Sequence, residues 1–301
     1  MLRTPLFQRI ALGAPALTSA LACALACVIA LGAPASAAAQ TKAKKPVAER
    51  NTSVPGGLVR WSGPETRSCR MGGKRSWKPI EDTCYYPIDI LQKPGVITVT
   101  RVGAKSSESA KVQVDAFDYG TQEVELADIP QRDPSGADQR RIAREGHLLA
   151  KVWERREGPP QFTLPIGPPT KPLPAGKAFG VNRVFNGKPA SQPHMGIDFL
   201  AGPGTPVLAV ADGTVALAMD LFNPGNAVFV DHGDGLVTES FHLSEITVKA
   251  GDAVKKGDTL GKVGTTGRST GPHLFFGVRW HGARINPKLL LDDPARIESI
   301  K

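Results

Sequence analysis

Cysteine is scarce in this chain, with four in 301 residues, and no two of them form a C-x-x-C pair. That excludes the spacing of zinc ribbons and of thioredoxin-like redox sites. Cys23 and Cys27 fall in an apolar leader, each with Leu two residues before it, so a lipobox with Leu three before is absent as well. The remaining pair is Cys69 and Cys84. No histidine lies near it, and in an oxidising compartment such a pair reads as a disulfide. Helix-turn-helix, zinc-finger and RNP-like patterns are also missing, which with the leader argues against nucleic acid as a partner.

Acidic residues are absent from the first 39 positions. Arg3 and Arg9 flank a short basic region, an apolar run follows from Ile10 to Ala33, and Ala35-Ser36-Ala37 and Ala37-Ala38-Ala39 are both A-x-A cleavage sites. Residues 1–39 therefore read as a secretory signal peptide. The apolar run is long enough for a membrane anchor. Its small-residue, proline-containing end and the polar stretch after Gln40 favour cleavage, leaving no stable membrane span. The formal charge of +9 falls to +7 once Arg3 and Arg9 are removed. The expectation is an exported protein of the periplasm or cell envelope. Its basic surface suits an anionic partner such as the cell wall, although ordinary solubility explains the charge equally well.

Residues 40–55 are lysine-rich without hydrophobic period, and read as a disordered tether. Residues 56–158 read as a β-rich module opening with the disulfide loop. Val96–Thr100 is β-branched and follows Pro94-Gly95, a strand signal. Lys111–Phe117 alternates apolar and polar residues, and Thr121–Leu126 is expected to pair with it through a turn at Asp118-Tyr119-Gly120. A helix is predicted over Ala137–Val152, with Ser135 as N-cap and Asp138 at the capping-box position. His147 on that helix has no partner one turn away and reads as a surface residue. Residues 159–175 are dense in proline, hence a linker or a strap on a domain surface. Residues 176–292 are glycine-rich, with short strands punctuated by Asp212-Gly213 and Asp234-Gly235, and no useful helical period. Residues 293–301 read as a tail. The fold class is mainly β: an antiparallel C-terminal sheet and a smaller β-rich N-terminal part with one helix.

Chemistry concentrates in the C-terminal part. His194-Met195-Gly196-Ile197-Asp198 is an H-x-x-x-D motif; Phe241-His242-Leu243 and Gly271-Pro272-His273-Leu274-Phe275 follow. Alone, an H-x-x-x-D says little, and His232 and His281 read as a turn residue and an exposed hairpin-tip residue. In this order, and with the glycines at Gly187, Gly213, Gly235, Gly264 and Gly267, the stretch Phe179–Leu290 resembles the lysostaphin-like, or LytM-type, zinc endopeptidases that cut peptidoglycan peptides. The resemblance implies a single zinc ion held by His194 and Asp198. It gives His242 and His273 the catalytic positions beside the metal-bound water and the oxyanion. It also implies peptidoglycan as partner and, for degenerate members, a cell-wall amidase.

The third ligand of that family is the second histidine of an H-x-H motif, and here that position is Phe275. Strand alternation puts Leu274, Phe276 and Val278 on one face and His273, Phe275 and Gly277 on the other, the groove face. A phenyl ring offers no lone pair. Three readings follow: a non-catalytic groove that binds peptidoglycan or an amidase; a zinc site repaired by His273 or His242; or a two-ligand site with extra water. The first is carried forward, with an active zinc endopeptidase as the alternative.

Overall fold

The computed structural model describes residues 50–73, 75–155 and 158–301; the leader and most of the tether lie outside them. The described residues fall in one compact unit. Among the described residues no helix is long and apolar enough to cross a membrane.

The framework is an antiparallel sheet in which Gly213–Leu221, Gly225–Asp231, Leu236–Ile246, Leu274–Trp280 and Gly196–Phe199 lie side by side. The central strands carry buried residues at successive positions, so the sheet is covered on both sides. Val228, Val230, Leu236, Leu274, Phe276 and Val278 point into the main core. Ala227, Phe229 and Val237, one residue out of phase, point into a second cluster on the opposite face.

That second face is roofed by the helix Gly136–Trp153, one residue longer at each end than its apolar stripe predicts. Ser135 caps it: its side chain accepts from the Asp138 N–H while Asp138 returns a bond to the Ser135 backbone, the expected capping box. Val152 is buried against the second cluster, with Leu149 and Trp153 packed beside it. His147 is exposed, as expected.

The proline-rich segment lies on the sheet as a strap. Phe162 and Ile166 enter the main core, and the Ile166 and Gly167 N–H groups donate to Leu290 and Val210 carbonyls at 2.9 and 2.7 Å. Ahead of the helix, a five-stranded sheet includes Gly95–Val102 and Ser107–Val114, and Leu58–Ser62 pairs with Thr83–Pro87 in a small separate sheet. The Cys69–Cys84 disulfide is formed, with both cysteines fully buried, and ties these two sheets together.

Four local expectations differ from the structure. Thr121–Val124 does not pair with the strand before it; it runs parallel to Asn182–Phe185. Asp118 accepts from the Gly120 N–H in a local turn, and Tyr119 packs on Phe179 and reaches the Pro55 carbonyl, so the chain is carried away from a hairpin. Residues 51–53, within the stretch read as a tether, form a strand parallel to Val112–Val114, and Glu298–Ser299 near the C-terminus pairs with Val59–Arg60 while Ile297 and Ile300 are buried. His281 is not an exposed tip residue: it is 6% exposed, stacked on Trp77 at 4.4 Å.

Beside His281 lies Asp234, buried in the turn, with its Oδ2 3.6 Å from the His281 Nε2. Burial pushes the Asp234 carboxyl up to about 6, with Trp280 pulling the other way. An acid whose folded pKa is raised binds its proton more tightly when folded, so this group's contribution to stability falls as pH rises from about 4 to about 6 and stays low above. Asp234 has φ 46°, a left-handed backbone that asparagine also tolerates. Asp234→Asn is therefore expected to stabilise the protein by about 1–3 kcal/mol at pH 7.5 and by much less at pH 4. Urea unfolding of both proteins at the two pH values checks this; an equal difference at both contradicts it.

Candidate functional site

The groove lies on the helix-covered face of the sheet. In the register of three adjacent strands, Asp198 stands opposite Phe275, which stands opposite Phe241; one step along, Gly196, Gly277 and Glu239 align. Side chains in such rows share a face. Phe275 therefore points into the groove, away from the aliphatic core. Its ring stacks on Phe241 at 4.6 Å and 3° and meets the His194 imidazole edge-on at 5.1 Å. Glycine is required beneath it: a Cβ on Gly196 would come within 2.5 Å of the Phe275 ring.

His242 arrives by a different device. Between the pairs Asn226–Leu243 and Val228–Ser240, two residues, Phe241 and His242, oppose the single residue Ala227. This is a β-bulge, and His242 takes the left-handed backbone, φ 64°. Simple alternation would turn His242 away from Phe241's side; the bulge brings both to the same groove. Its ring centre is 4.8 Å from that of His273. Burial first, then neighbouring His273, push His242 down to about 4, with Thr266 and Asp198 opposing, so it is neutral near pH 7.

The three imidazoles share one orientation rule. His194 Nδ1 bonds the Ala178 carbonyl at 3.1 Å, His242 Nδ1 the Thr266 carbonyl at 2.8 Å, and His273 Nδ1 the Gly271 carbonyl at 2.8 Å. A carbonyl only accepts, so each Nδ1 carries a proton and donates it to that carbonyl. His194 Nε2 lies 3.2 Å and His273 Nε2 3.6 Å from Asp198 Oδ1. Both atoms of the longer contact, Asp198 Oδ1 and His273 Nε2, are buried. The four polar residues of the sequence motifs thus converge in one cleft.

Two arginines that the motifs do not include complete it. Arg183 donates through its guanidinium to Asp198 Oδ2 in a close ion pair. Burial pushes the Asp198 carboxyl up, but His194, Arg183 and His273 together outweigh it and hold the group well below the usual carboxylate range. Arg268 lies over the Phe185 ring at 4.5 Å. Across the groove, Trp153 from the helix donates to Glu239 at 3.1 Å, and Arg279 both bonds Glu239 at 3.0 Å and stacks on Trp153 at 3.6 Å. Between these walls the groove encloses about 350 Å³. His232 is elsewhere: buried, bonded to the Asp212 carbonyl and the Thr238 hydroxyl, it braces a turn.

A catalytic zinc needs three protein ligands and an open position. The residues present do not supply that set. His194 Nε2 and Asp198 Oδ1 face one another as two ligands of one ion would, but the third strand position carries a stacked phenyl ring. The other Asp198 oxygen is taken by a guanidinium, whose positive charge opposes a divalent cation. Among the described residues, no group of three His, Cys, Asp or Glu side chains is placed to hold a metal ion. The cleft as built is one carboxylate and three imidazoles beside an aromatic wall, flanked by the guanidinium groups of Arg183 and Arg268.

The model of peptidase family M23 matches residues 192–287. The chain is 45% identical over 94 residues to the DD-carboxypeptidase/endopeptidase Mpg of Neisseria meningitidis, and 42% identical over 94 residues to the peptidoglycan DD-endopeptidase ShyA of Vibrio cholerae. Each match takes in 31% of this chain and 22% of the relative, so the chain spans under a quarter of those relatives' length. A crystal structure of an M23 peptidase from Pseudomonas aeruginosa superposes with a TM-score of 0.62 at 30% identity, covering 79% of this chain and 94% of that one.

Proposed function

This chain belongs to peptidase family M23, and from that premise we propose that it is an exported, peptidoglycan-directed protein whose groove holds stem peptide without hydrolysing it. Peptidoglycan as target is supported by the relative ShyA, named as a peptidoglycan DD-endopeptidase. Export is supported by the leader and by the Cys69–Cys84 disulfide, a bond that persists in oxidising compartments.

The single observation that carries the non-hydrolytic reading is the Phe275–Phe241 stack at the third ligand position. Without that ligand the metal's roles, polarising the scissile carbonyl and activating water, have no holder. The groove retains features a bound peptide uses: a carboxylate oxygen that accepts N–H groups, imidazoles for further polar contact, and the ring faces of Phe275 and Trp153 for apolar contact.

The test is co-sedimentation with purified sacculi, combined with an assay for soluble muropeptides, with and without chelator. The expected result is sedimentation unaffected by chelator, no release of fragments, and weaker sedimentation for His194→Ala. Release of fragments that stops with chelator would replace this reading by an active zinc endopeptidase. Failure to sediment, with stimulation of a cell-wall amidase on mixing, would move the partner from the glycopeptide to that enzyme.

A further inference from the structure

Arg268 carries a charge that nothing in the groove balances. It is half-buried, its backbone N–H donates to Asn223 at 2.8 Å, and its guanidinium rests on Phe185. Among the described residues no carboxylate stands within ion-pair distance of it; burial first and the like charge of Arg183 second push its pKa down. A cation taken partly out of water keeps its charge at a cost unless an anion meets it, and one aromatic face offsets only part of that cost. Arg183, by contrast, has Asp198.

The surroundings show where such an anion would sit. Arg183, Phe185 and Arg268 line the main groove and also a second cavity of about 220 Å³ beside it, which reaches Asp198 and His273. Exposed Lys177 adds to its wall. Lys177, Arg183 and Arg268 face a single carboxylate there, that of Asp198, and it is already bound to Arg183. Next to this positive pocket is the buried acceptor Asp198 Oδ1. A ligand complementary to both parts presents an N–H group and a carboxylate side by side, as an amino-acid residue with a free carboxyl does.

We propose that this cavity is a carboxylate subsite in which Arg268, assisted by Lys177, anchors a free carboxylate of a stem peptide lying in the groove. The planar guanidinium suits two parallel N–H···O bonds to such a group. The inference rests on the peptide-binding reading and makes it specific: the groove selects stem peptides by a free carboxyl group. That group is either the main-chain terminus or a side-chain carboxylate.

Calorimetric titration of the full chain with a synthetic stem tetrapeptide tests it. Four forms are used: both carboxyls free, the C-terminus amidated, the side-chain carboxyls amidated, and all amidated. Arg268→Met keeps an apolar chain over Phe185 and is expected to weaken binding of the free form roughly 10- to 100-fold, with Arg268→Lys intermediate. One of the two single amidations is expected to weaken wild-type binding by a similar factor and identifies the source of the carboxylate. That same amidation should not weaken binding to Arg268→Met further. A purely structural role predicts a lower melting temperature for Arg268→Met without ligand; a ligand-waiting charge predicts an unchanged or higher one. Equal wild-type affinity for the free and fully amidated peptides overturns the subsite while leaving the peptide-binding groove intact. Absence of binding by any form, together with failure to sediment with sacculi, overturns the groove reading itself.

Discussion

Phe275→His is expected to turn a protein indifferent to zinc into one that binds it, with an affinity gain of roughly 100-fold or more. Position 275 lies directly opposite Asp198 on the groove face, and His194 already faces the same carboxylate at 3.2 Å. An imidazole there adds the missing third donor. The substitution also has a cost. It removes a parallel stack with Phe241 at 4.6 Å and an edge contact with His194. Loss of an aromatic pair and some apolar burial lowers stability by about 1–2 kcal/mol without metal. Zinc at a hundred times its dissociation constant returns about 2.7 kcal/mol. The signature is a crossover: Phe275→His melts below wild type in chelator and at or above it with zinc, while the wild-type melting temperature ignores zinc. Calorimetric scans of both proteins in both conditions check this. A wild-type protein stabilised by zinc as strongly as the variant would contradict it.

Arg183→Ala is expected to destabilise the fold by about 3–5 kcal/mol, because it takes from the buried Asp198 carboxylate the guanidinium that ion-pairs it. The pair is well enclosed, with side-chain exposures of 19% for Arg183 and 8% for Asp198. The other contacts of the carboxylate are the His194 and His273 imidazoles at 3.2 and 3.6 Å, which keep only part of the neutralising role. The double change Arg183→Gln with Asp198→Asn removes both charges and should recover a large part of the loss, giving a coupling energy of about 1–3 kcal/mol in a double-mutant cycle. Additive losses would show that the pair does not hold the cleft together. In the Phe275→His background, Arg183→Gln is also expected to tighten zinc binding, since it withdraws a positive charge from an aspartate ligand.

Much of this architecture is legible in the sequence where a local rule acts alone. Ser135 and Asp138 fix the start of the helix because a capping box needs only four consecutive residues. The face on which Phe275 lies follows from alternation along one strand. What escapes the sequence depends on distant partners. Nothing near His242 marks the bulge that re-aims it; the extra residue is visible only against Ala227 on the neighbouring strand. Arg183 looks like any basic residue of a short strand until the fold sets it on Asp198. Arg268 sits in a glycine-rich loop where exposure is the natural expectation, and only Phe185 and the second cavity show it to be enclosed. His281 follows the same logic: a Trp-His-Gly tip reads as exposed, and Trp77, from the other end of the chain, covers it. The hairpin expected at residues 118–120 fails for a related reason, since Tyr119 finds Phe179 and Pro55 far along the chain.

On the proposed reading, the Phe275–Phe241 stack stands where a third zinc ligand would, and the wild-type groove holds no tightly bound zinc. Elemental analysis of the purified full-length wild-type protein, after dialysis against zinc and then metal-free buffer, tests it most directly. The account predicts far less than one zinc per chain, rising toward one in Phe275→His treated identically. One tightly held zinc per wild-type chain would contradict it.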